Sequence, residues 1–522
     1  MFDLIIKKGS IVDGTGKEMF RGDIAVKDGK IISIGDLEES EAKAYIEAKG
    51  LIVSPGFIES HGHAEIFPVS FPANKIRQGV TTEIIGHCGV SLYPYTKEGA
   101  GNVRKMFEMA DPSVVDLQQK DLETYFTNLE NNGVSYNCAT LIGYGTLRAG
   151  VVGLENREAT KSEIEEMKRL LENDMRHGAL GMSTGIEYFP QCFCAKEELI
   201  ELAKVVAKYD GVYATHMRNE NDYLIESVEE AIEIAEKSRA KLMICHLKAL
   251  KKPNWGKVKK AIELIKEARN RGVDVWCDSY FYPLCASTLA YIMPKWALEG
   301  GLDELAKRLK NEDTKEKITK ELSDIDFKEV FVFNLCSEKN KKFNGENIET
   351  ISAVLGETPY ETYFRLFIEE KGILAVFRLV SEEDMDHLAK FEYALVGSDA
   401  FPHADNTTQK FCHPRDYGTF PRFIRKYVKD EKIISLEEAI RKMTKLTADF
   451  YGIPKRGSIE VGNYADFTIF NLDDLKDNAT IKQPAQYNEG IEYVIINGKI
   501  QLEQDDYKKE NVGQIVKRAI SI

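Results

Sequence analysis

Short apolar runs alternate with amphipathic helical segments through the middle of the chain, and this alternation limits the possible folds more than any other feature. In the segment 224–236, for example, Leu224, Val228 and Ala231 mark one apolar face at helical spacing. Eight strand–helix alternations are typical of an α/β protein with a (β/α)8 TIM-like barrel, and an open doubly wound sheet is the structural alternative. The predicted strands lie at residues 56–60, 82–86, 136–143, 179–183, 212–215, 242–245, 273–278 and 393–398.

Both ends of the chain consist of short β-rich pieces separated by turn residues. Neither end has enough strands to close a sheet alone, so we expect the two ends to pair. The prediction is a small β-sandwich domain formed by residues 1–55 and 455–522, beside a barrel formed by residues 56–454. Charged helical sequence between the seventh and eighth predicted strands indicates a helical insertion within the barrel, at about residues 288–345.

The composition restricts the class of partner. The 522 residues carry a formal net charge of -14 with Lys and Arg spread along the chain, which argues against nucleic acid and leaves a small molecule as the expected partner. There is no run of about 20 apolar residues and no secretory signal at the start, so no membrane span is expected. The nine scattered cysteines are typical of reduced thiols in a cytoplasmic protein. Nothing in these features fixes the oligomeric state.

Five potential metal ligands follow predicted strands. His61 and His63 follow the first strand as His-Gly-His. His216 follows the fifth strand, His246 the sixth and Asp399 the eighth. Barrel enzymes place their reactive groups at the carboxyl ends of the strands, so these side chains are expected to converge. Residues two apart on an extended segment point the same way, so His61 and His63 can hold one ion together. Imidazole and carboxylate ligands suit zinc best, with other divalent transition metals as alternatives.

Cys88 follows the second predicted strand and is a sixth candidate ligand. A single buried cysteine more commonly packs as a small apolar residue, but the position at a strand end favours a thiolate ligand. Many binuclear barrel hydrolases bridge two metals with a lysine on the fourth strand, and residues 178–185 contain no lysine. Cys88 is therefore the group available to complete the site.

Several motifs spread over nearly the whole chain resemble the amidohydrolase superfamily, and within it the N-acyl-D-amino-acid deacylases, also called D-aminoacylases. The His-Pro-Arg element in combination with Cys88 is the most distinctive part of this resemblance. The segments that carry it are Pro55–His63, Gly79–Gly89, Gly178–Gly185, His216–Glu220, His246–Lys248 and His413–Arg422.

This resemblance implies a zinc enzyme that hydrolyses the amide bond of N-acyl-D-amino acids to a carboxylic acid and a free D-amino acid. The preference for the D enantiomer rests on the resemblance alone. The tightly held zinc would be bound by Cys88, His216 and His246. A second, weaker metal position would be formed by His61, His63 and Asp399.

The resemblance also implies the roles of the remaining residues. Asp399 would be the general acid and base, and Tyr188 and Tyr282 would contact the substrate. Amide hydrolysis needs a strong nucleophile, a polarised carbonyl and a protonated leaving nitrogen. Zinc would meet the first two needs, and Asp399 would move the proton. Lys248 and Arg415 would hold the free carboxylate of the substrate, Arg415 through a two-point contact.

Two residues and one segment depart from the pattern that the resemblance implies, and we expect all three to lie near the pocket. Tyr144 stands where relatives usually have His, His87 stands where they often have Asn, and the segment 401–412 is longer than usual. These departures leave the chemistry as expected and affect the preference for acyl group and side chain.

Two other functions are compatible with parts of the sequence. A cyclic-amide hydrolase of the dihydropyrimidinase or hydantoinase type shares the barrel and the His-X-His, but the missing lysine on the fourth strand argues against it. A non-catalytic scaffold is expected to lose metal ligands first, whereas all six candidates are present here.

Overall fold

The computed structural model describes residues 1–37, 40–65, 70–110, 120–298, 302–370, 373–406 and 413–518. Its centre is a closed barrel of parallel strands. The segment Ile142–Gly143 joins the third strand to the fourth, and a parallel bridge between Gly62 and Ala400 joins the eighth to the first. The α/β barrel is thereby confirmed, and the open sheet is excluded. In chain order the eight barrel strands are Phe57–Glu59, Val80–Ile85, Asn137–Thr140, Gly181–Gly185, Val212–His216, Lys241–Ile244, Val275–Ser279 and Ala394–Val396.

Helices surround the barrel, and the longer ones bury apolar side chains on one face. Lys161–Arg176 begins with a capping box, in which the Thr160 side chain accepts from the Glu163 backbone and the Glu163 side chain accepts from the Thr160 backbone. Leu224–Ser238 buries the apolar face that the sequence indicates. The other main helices of the described barrel are Ala73–Ile76, Ala100–Ala110, Leu122–Asn132, Tyr144–Val151, Lys196–Lys208, Lys257–Asn270, Glu382–Lys390, Arg415–Ile424, Leu436–Met443 and Lys445–Tyr451. Among the described residues, no helix combines the length and the apolar character that a membrane crossing requires.

The two ends of the chain share one β-sheet, as predicted. Ile52–Pro55 pairs antiparallel with Phe467–Phe470, which joins the strands of the first part of the chain to those of the last. The division into residues 1–55 with 455–522 and residues 56–454 stays a prediction, and residues 519–522 lie outside the described part. The strands of this nine-stranded sheet are Phe2–Ile11, Phe20–Lys27, Lys30–Gly35, Ala42–Glu47, Ile52–Pro55, Phe467–Phe470, Ile491–Ile496, Lys499–Glu503 and Asp506–Tyr507.

The insertion between the seventh and eighth barrel strands contains the expected helices and also a small sheet. Its described helices are Leu302–Arg308, Glu312–Glu321, Ile348–Leu355 and Pro359–Glu369. Its three antiparallel strands are Cys285–Thr288, Val330–Phe333 and Leu374–Phe377. The inserted unit therefore extends on both sides of the predicted range 288–345, of which residues 299–301 lie outside the described part. The apolar run Val330–Phe333 is buried on both faces and so lacks the alternation that marks a half-exposed strand.

Candidate metal centre

The six predicted ligands meet at the carboxyl ends of the barrel strands. The ligand atoms of one group of four lie within 4.8 Å of one another, and so do those of a second group of three. Cys88 belongs to both groups, and its Sγ lies 3.5 Å from His61 Nε2 and 3.6 Å from His246 Nε2. The first group is His61, His63, Cys88 and Asp399, and the second is Cys88, His216 and His246. The second group holds the three residues expected for the tight position, and the first holds the three expected for the weaker position together with Cys88.

The backbone is strained where it presents three of these side chains. The φ angles are 53° at Cys88, 36° at His246 and 51° at Asp399, all in the left-handed region that non-glycine residues rarely adopt. Such conformations persist only when the surrounding structure enforces them, and they cluster at functional sites. The strand ends therefore hold these ligands in place against a local conformational preference.

Each of the four histidines turns one ring nitrogen toward the cluster and the other toward a carboxylate. For His61 the carboxylate is Asp278, whose Oδ2 is 3.2 Å from Nδ1. For His63 it is Glu65, whose Oε1 is 3.2 Å from Nδ1. A metal-binding histidine is characteristically held in this way, because the carboxylate fixes the tautomer and the ring orientation.

The second pair of histidines follows the same rule. His216 Nε2 lies 3.1 Å from Glu187 Oε2, and His246 Nδ1 lies 2.8 Å from Glu220 Oε1. None of these four carboxylates is among the site residues predicted from the sequence. Position alone could have indicated two of them. Asp278 is the last residue of the predicted seventh strand, and Glu220 is the last residue of the His216–Glu220 motif. Glu65 and Glu187 carry no comparable signal, because their contacts depend on how two loops fold back.

The donor set fits a divalent transition metal such as zinc. Imidazole, thiolate and carboxylate are the groups that bind zinc in proteins. Burial alone raises the pKa of the Cys88 thiol, but the imidazoles of His61, His216 and His246 lower that pKa well below its usual value. The thiolate, which is the form that binds metal, is therefore the favoured form at this position.

One carboxylate oxygen of Asp399 faces the cluster, and the other faces Arg415. Asp399 Oδ1 lies 3.1 Å from His63 Nε2 and 3.7 Å from His61 Nε2, while Arg415 Nη1 forms an ion pair with Asp399 Oδ2 at 2.8 Å. Burial raises the pKa of this carboxyl group, but Arg415 and His63 lower it well below its usual value. Asp399 is thus held ionised, with Oδ1 directed at the site.

A pocket opens onto this cluster, and three of the four predicted substrate contacts line it: Tyr188, Lys248 and Arg415. Tyr282 does not line the pocket, because its ring packs against the Arg422 guanidinium at 4.6 Å. Tyr280, two residues earlier, lines the pocket instead, and its ring lies 4.8 Å from the Arg415 guanidinium. Tyr280 therefore takes the place in the lining that was expected for Tyr282, and contact of either ring with a substrate stays a prediction.

Both pocket cations already have carboxylate partners. Lys248 Nζ lies 2.6 Å from Glu220 Oε2, and Arg415 pairs with Asp399. From the local sequence Asp416 is the nearest carboxylate to Arg415, but Asp416 bonds to His403. Arg415 Nε, which is buried, has no hydrogen-bond partner among the described residues, so the guanidinium retains a free donor.

The residues that depart from the family pattern lie at different distances from the pocket. Tyr144, expected near the pocket, is not one of the residues that line it; the side chain is fully buried and donates to Glu198 at 2.5 Å. His87 does lie at the site, with its ring stacked on that of His61 at 4.1 Å between centroids. Of the segment 401–412, only residues 401–406 fall in the described part, and Phe401 lies beside His63 at 5.8 Å between ring centroids.

A buried ion network lies beneath the cluster. Lys75 Nζ lies 3.1 Å from Glu59 Oε2 and 3.2 Å from Glu83 Oε1, and all three side chains are fully buried. Glu59 Oε1 accepts from the backbone N–H groups of His61 at 3.1 Å and Ser398 at 2.6 Å. Burial alone lowers the pKa of Lys75, but Glu59 and Glu83 raise that pKa above its usual value. The network therefore connects two strand ends: the one that carries His61, and the one where Ser398 precedes Asp399.

Comparison with known proteins shows the family to which the chain belongs. The model of the amidohydrolase family matches residues 395–501. The chain is 30% identical over 519 residues to a D-aminoacylase of Alcaligenes xylosoxydans xylosoxydans, covering 99% of this chain and 98% of the relative. The protein is thus an amidohydrolase, one of the metal-dependent barrel hydrolases. Within that class, the chain belongs to the D-aminoacylase family.

Solved structures agree with this assignment. The N-acyl-D-glutamate deacylase from Bordetella bronchiseptica, complexed with zinc and a phosphonate inhibitor, superposes with a TM-score of 0.82 at 28% identity, covering 99% of both chains. A D-aminoacylase studied for its binuclear metal centre superposes with a TM-score of 0.82 at 29% identity, covering 99% of this chain and 100% of the other. A D-hydantoinase superposes with a TM-score of only 0.54 at 18% identity, which shows a likeness of fold alone.

Proposed function

We propose that this protein hydrolyses the amide bond of N-acyl-D-amino acids, releasing a carboxylic acid and a free D-amino acid. The observation that carries the proposal is one pocket that joins a buried His/Cys/Asp cluster to Arg415 and Lys248. Such a pocket combines groups for amide hydrolysis with cations that can hold a carboxylate. The D-aminoacylase and the N-acyl-D-glutamate deacylase that the chain resembles support the same substrate class.

We further propose zinc as the metal, with a tight position on Cys88, His216 and His246 and a weaker one on His61, His63 and Asp399. When bound, zinc would supply Lewis acidity that polarises a carbonyl group and makes water more acidic. The carboxylates on the outer ring nitrogens keep the four histidines in the orientation that binding requires.

The eight cysteines of the described part of the chain form no disulfide, which supports a site of action in the reducing cytoplasm.

Asp399 would move the proton. Its Oδ1 faces the cluster and is ionised, so it can take a proton from the attacking water and then deliver it to the leaving nitrogen. Arg415 on Oδ2 keeps the carboxylate in one orientation during both transfers. The free carboxylate of the substrate would bind at the unused Nε donor of Arg415 and at Lys248, beside the ring of Tyr280.

The proposed function is tested with a small substrate panel and the zinc-loaded protein. N-acetyl-D-methionine is expected to be hydrolysed, with N-acetyl-L-methionine and a 5-substituted hydantoin turned over much more slowly. Free amino acid is measured by a chiral separation, and ring opening by loss of hydantoin absorbance. Faster opening of the hydantoin than hydrolysis of the D-amide would assign the protein to the cyclic-amide hydrolases instead.

The metal assignment is tested at the shared ligand. Cys88→Ala is expected to lose the tightly bound zinc, because the thiolate is the softest donor of the cluster and belongs to both groups. Zinc per chain is measured by elemental analysis after dialysis. Cys336→Ala changes an exposed cysteine far from the cluster and is the matched control. Full zinc content in Cys88→Ala would make Cys88 a packing residue and remove it from the site.

A further inference from the structure

We propose that Glu220 is a positioning residue that couples the binding of the substrate carboxylate at Lys248 to the binding of metal at His246, so that each strengthens the other. This role rests on the proposed function and deepens it, because Glu220 acts through a metal ligand and a cation of the pocket rather than on the substrate itself.

A single buried carboxylate joins the metal ligand to the pocket cation. Glu220 Oε1 lies 2.8 Å from Nδ1 of His246, and Glu220 Oε2 lies 2.6 Å from Nζ of Lys248. All three side chains are buried. Charges and hydrogen bonds act more strongly on one another in such surroundings than in water. A change at either partner of Glu220 is therefore transmitted to the other.

The loops after two neighbouring barrel strands hold this arrangement. Glu220 follows the fifth barrel strand, and its carbonyl oxygen accepts from the backbone N–H of Leu250 at 2.8 Å. His246 and Lys248 follow the sixth barrel strand, and Lys248 Nζ donates to the carbonyl oxygen of His246 at 3.2 Å. The carboxylate is thereby held between the metal ligand and the cation, at the edge of the pocket that both of them line.

Two charged groups lie within hydrogen-bond distance of Nδ1 of His246. Lys248 Nζ is 2.9 Å from this nitrogen, and Glu220 Oε1 is 2.8 Å from it. A ring nitrogen either accepts from a donor or donates to an acceptor, so it can satisfy only one of the two. When Nε2 binds a metal, the neutral ring carries its proton on Nδ1, and the acceptor for that proton is Glu220. Metal binding therefore favours a position of the Lys248 ammonium that is directed away from Nδ1 and into the pocket.

Glu220 divides one negative charge between two partners, and this division gives the coupling its sign. A substrate carboxylate that pairs with Lys248 weakens the hold of this lysine on Glu220. The carboxylate of Glu220 is then a stronger acceptor for the Nδ1–H of His246. A stronger acceptor makes the imidazole more basic at Nε2, which raises its affinity for a metal. Binding free energies are reciprocal, so the metal raises the affinity for the substrate carboxylate by the same factor.

The coupling is measured as the zinc affinity of the complete chain with two matched ligands. One is N-methylsulfonyl-D-methionine, whose sulfonamide resists hydrolysis, and the other is its carboxamide, which lacks only the carboxylate charge. Zinc dissociation constants are obtained by competition with a chelator at a saturating concentration of each ligand. We expect zinc to bind at least about fivefold more tightly with the acid than with the carboxamide, the lower end of typical coupling between sites. Equal zinc affinities would overturn the proposal.

Two variants assign the coupling to Glu220. Glu220→Gln should weaken zinc binding by about 10–100-fold, the usual effect of changing the outer partner of a metal ligand, and should bring the acid-to-carboxamide ratio close to one. Glu187→Gln is the matched control, because Glu187 lies 3.1 Å from the other histidine, His216, and 3.4 Å from the hydroxyl of Tyr291. It should weaken zinc binding in the same way and keep the ratio of the parent protein. A full ratio in Glu220→Gln would show that the ligand carboxylate acts on the metal directly, which would overturn the role of Glu220.

Turnover of N-acetyl-D-methionine keeps this proposal distinct from the proposed function. If the protein hydrolyses that substrate and the two ligands give the same zinc affinity, the coupling is overturned and the proposed function stands. If no N-acyl-D-amino acid is hydrolysed and neither ligand binds, both are overturned. The thermal unfolding midpoint shows whether each variant is folded, and the parent ratio tests the coupling even if Glu220→Gln does not fold.

Discussion

Asp399→Asn is expected to fold like the parent protein and to lose a factor of roughly 10²–10⁴ in kcat, the range typical of a general acid–base group. The asparagine keeps the shape of the side chain and an oxygen that can face Arg415, although the ion pair at 2.8 Å is lost. The amide cannot take up a proton at the position of Oδ1, which faces His63 and the cluster. The measurement is kcat for N-acetyl-D-methionine, together with the thermal unfolding midpoint.

Zinc content separates the two roles proposed for Asp399. If the variant keeps the zinc of both positions and loses turnover, the carboxylate acts in proton transfer. If the zinc of the weaker position is lost in parallel with turnover, Asp399 acts chiefly as a ligand of that position. Asp313→Asn, at an exposed position of the insertion, provides the control for the substitution itself. A kcat within a few fold of the parent value would remove Asp399 from the mechanism.

Lys75→Met is expected to lower the free energy of unfolding by about 3–5 kcal/mol, the cost of breaking a buried ion pair by removing one partner. The substitution leaves Glu59 and Glu83, both fully buried, without the cation that lies 3.1 and 3.2 Å from them. Urea unfolding followed by circular dichroism measures the loss. Lys97→Met, at an exposed position, is the control and should change the unfolding midpoint little.

The double variant Lys75→Met/Glu83→Gln tests the cause. Removing one of the two carboxylates should recover part of the lost stability, which a double-mutant cycle quantifies. Zinc affinity of Lys75→Met should also fall, because Glu59 accepts from the backbone N–H groups of His61 and Ser398. Unfolding at the parental midpoint by the single variant would show that the network contributes little to stability.

The sequence predicted those parts of the site that follow from position along a strand. In a parallel barrel all strands end at one face, so His61, His216 and Asp399 could be brought together without coordinates. Orientation could not be predicted in the same way. The choice between Tyr280 and Tyr282 depends on how the chain turns after the seventh barrel strand, where Phe281 has a φ of 55°.

Contacts between distant segments account for most of what the sequence analysis missed. The partner of Arg415 is Asp399 rather than the neighbouring Asp416, because the helix that begins at Arg415 turns the guanidinium back toward the eighth strand. The carboxylates behind the histidines lie on other loops and strands. The sheet of the insertion was missed for a local reason, since Val330–Phe333 is buried at all four positions and Leu374–Phe377 at three of four, which leaves no alternation to detect.

The sheet shared by the two ends of the chain has a consequence for the order of folding. Ser54 and Thr468 are paired although 414 residues separate them, which makes this one of the most non-local contacts in the molecule. During synthesis the first strands emerge long before their partners, so the edge of Ile52–Pro55 stays unpaired until Phe467–Phe470 has been made. The barrel between them brings the two segments close and shortens the effective loop that must be closed. Completion of the shared sheet is therefore a late folding event, and until then the exposed strand edge is the part of the nascent chain most open to pairing with another molecule.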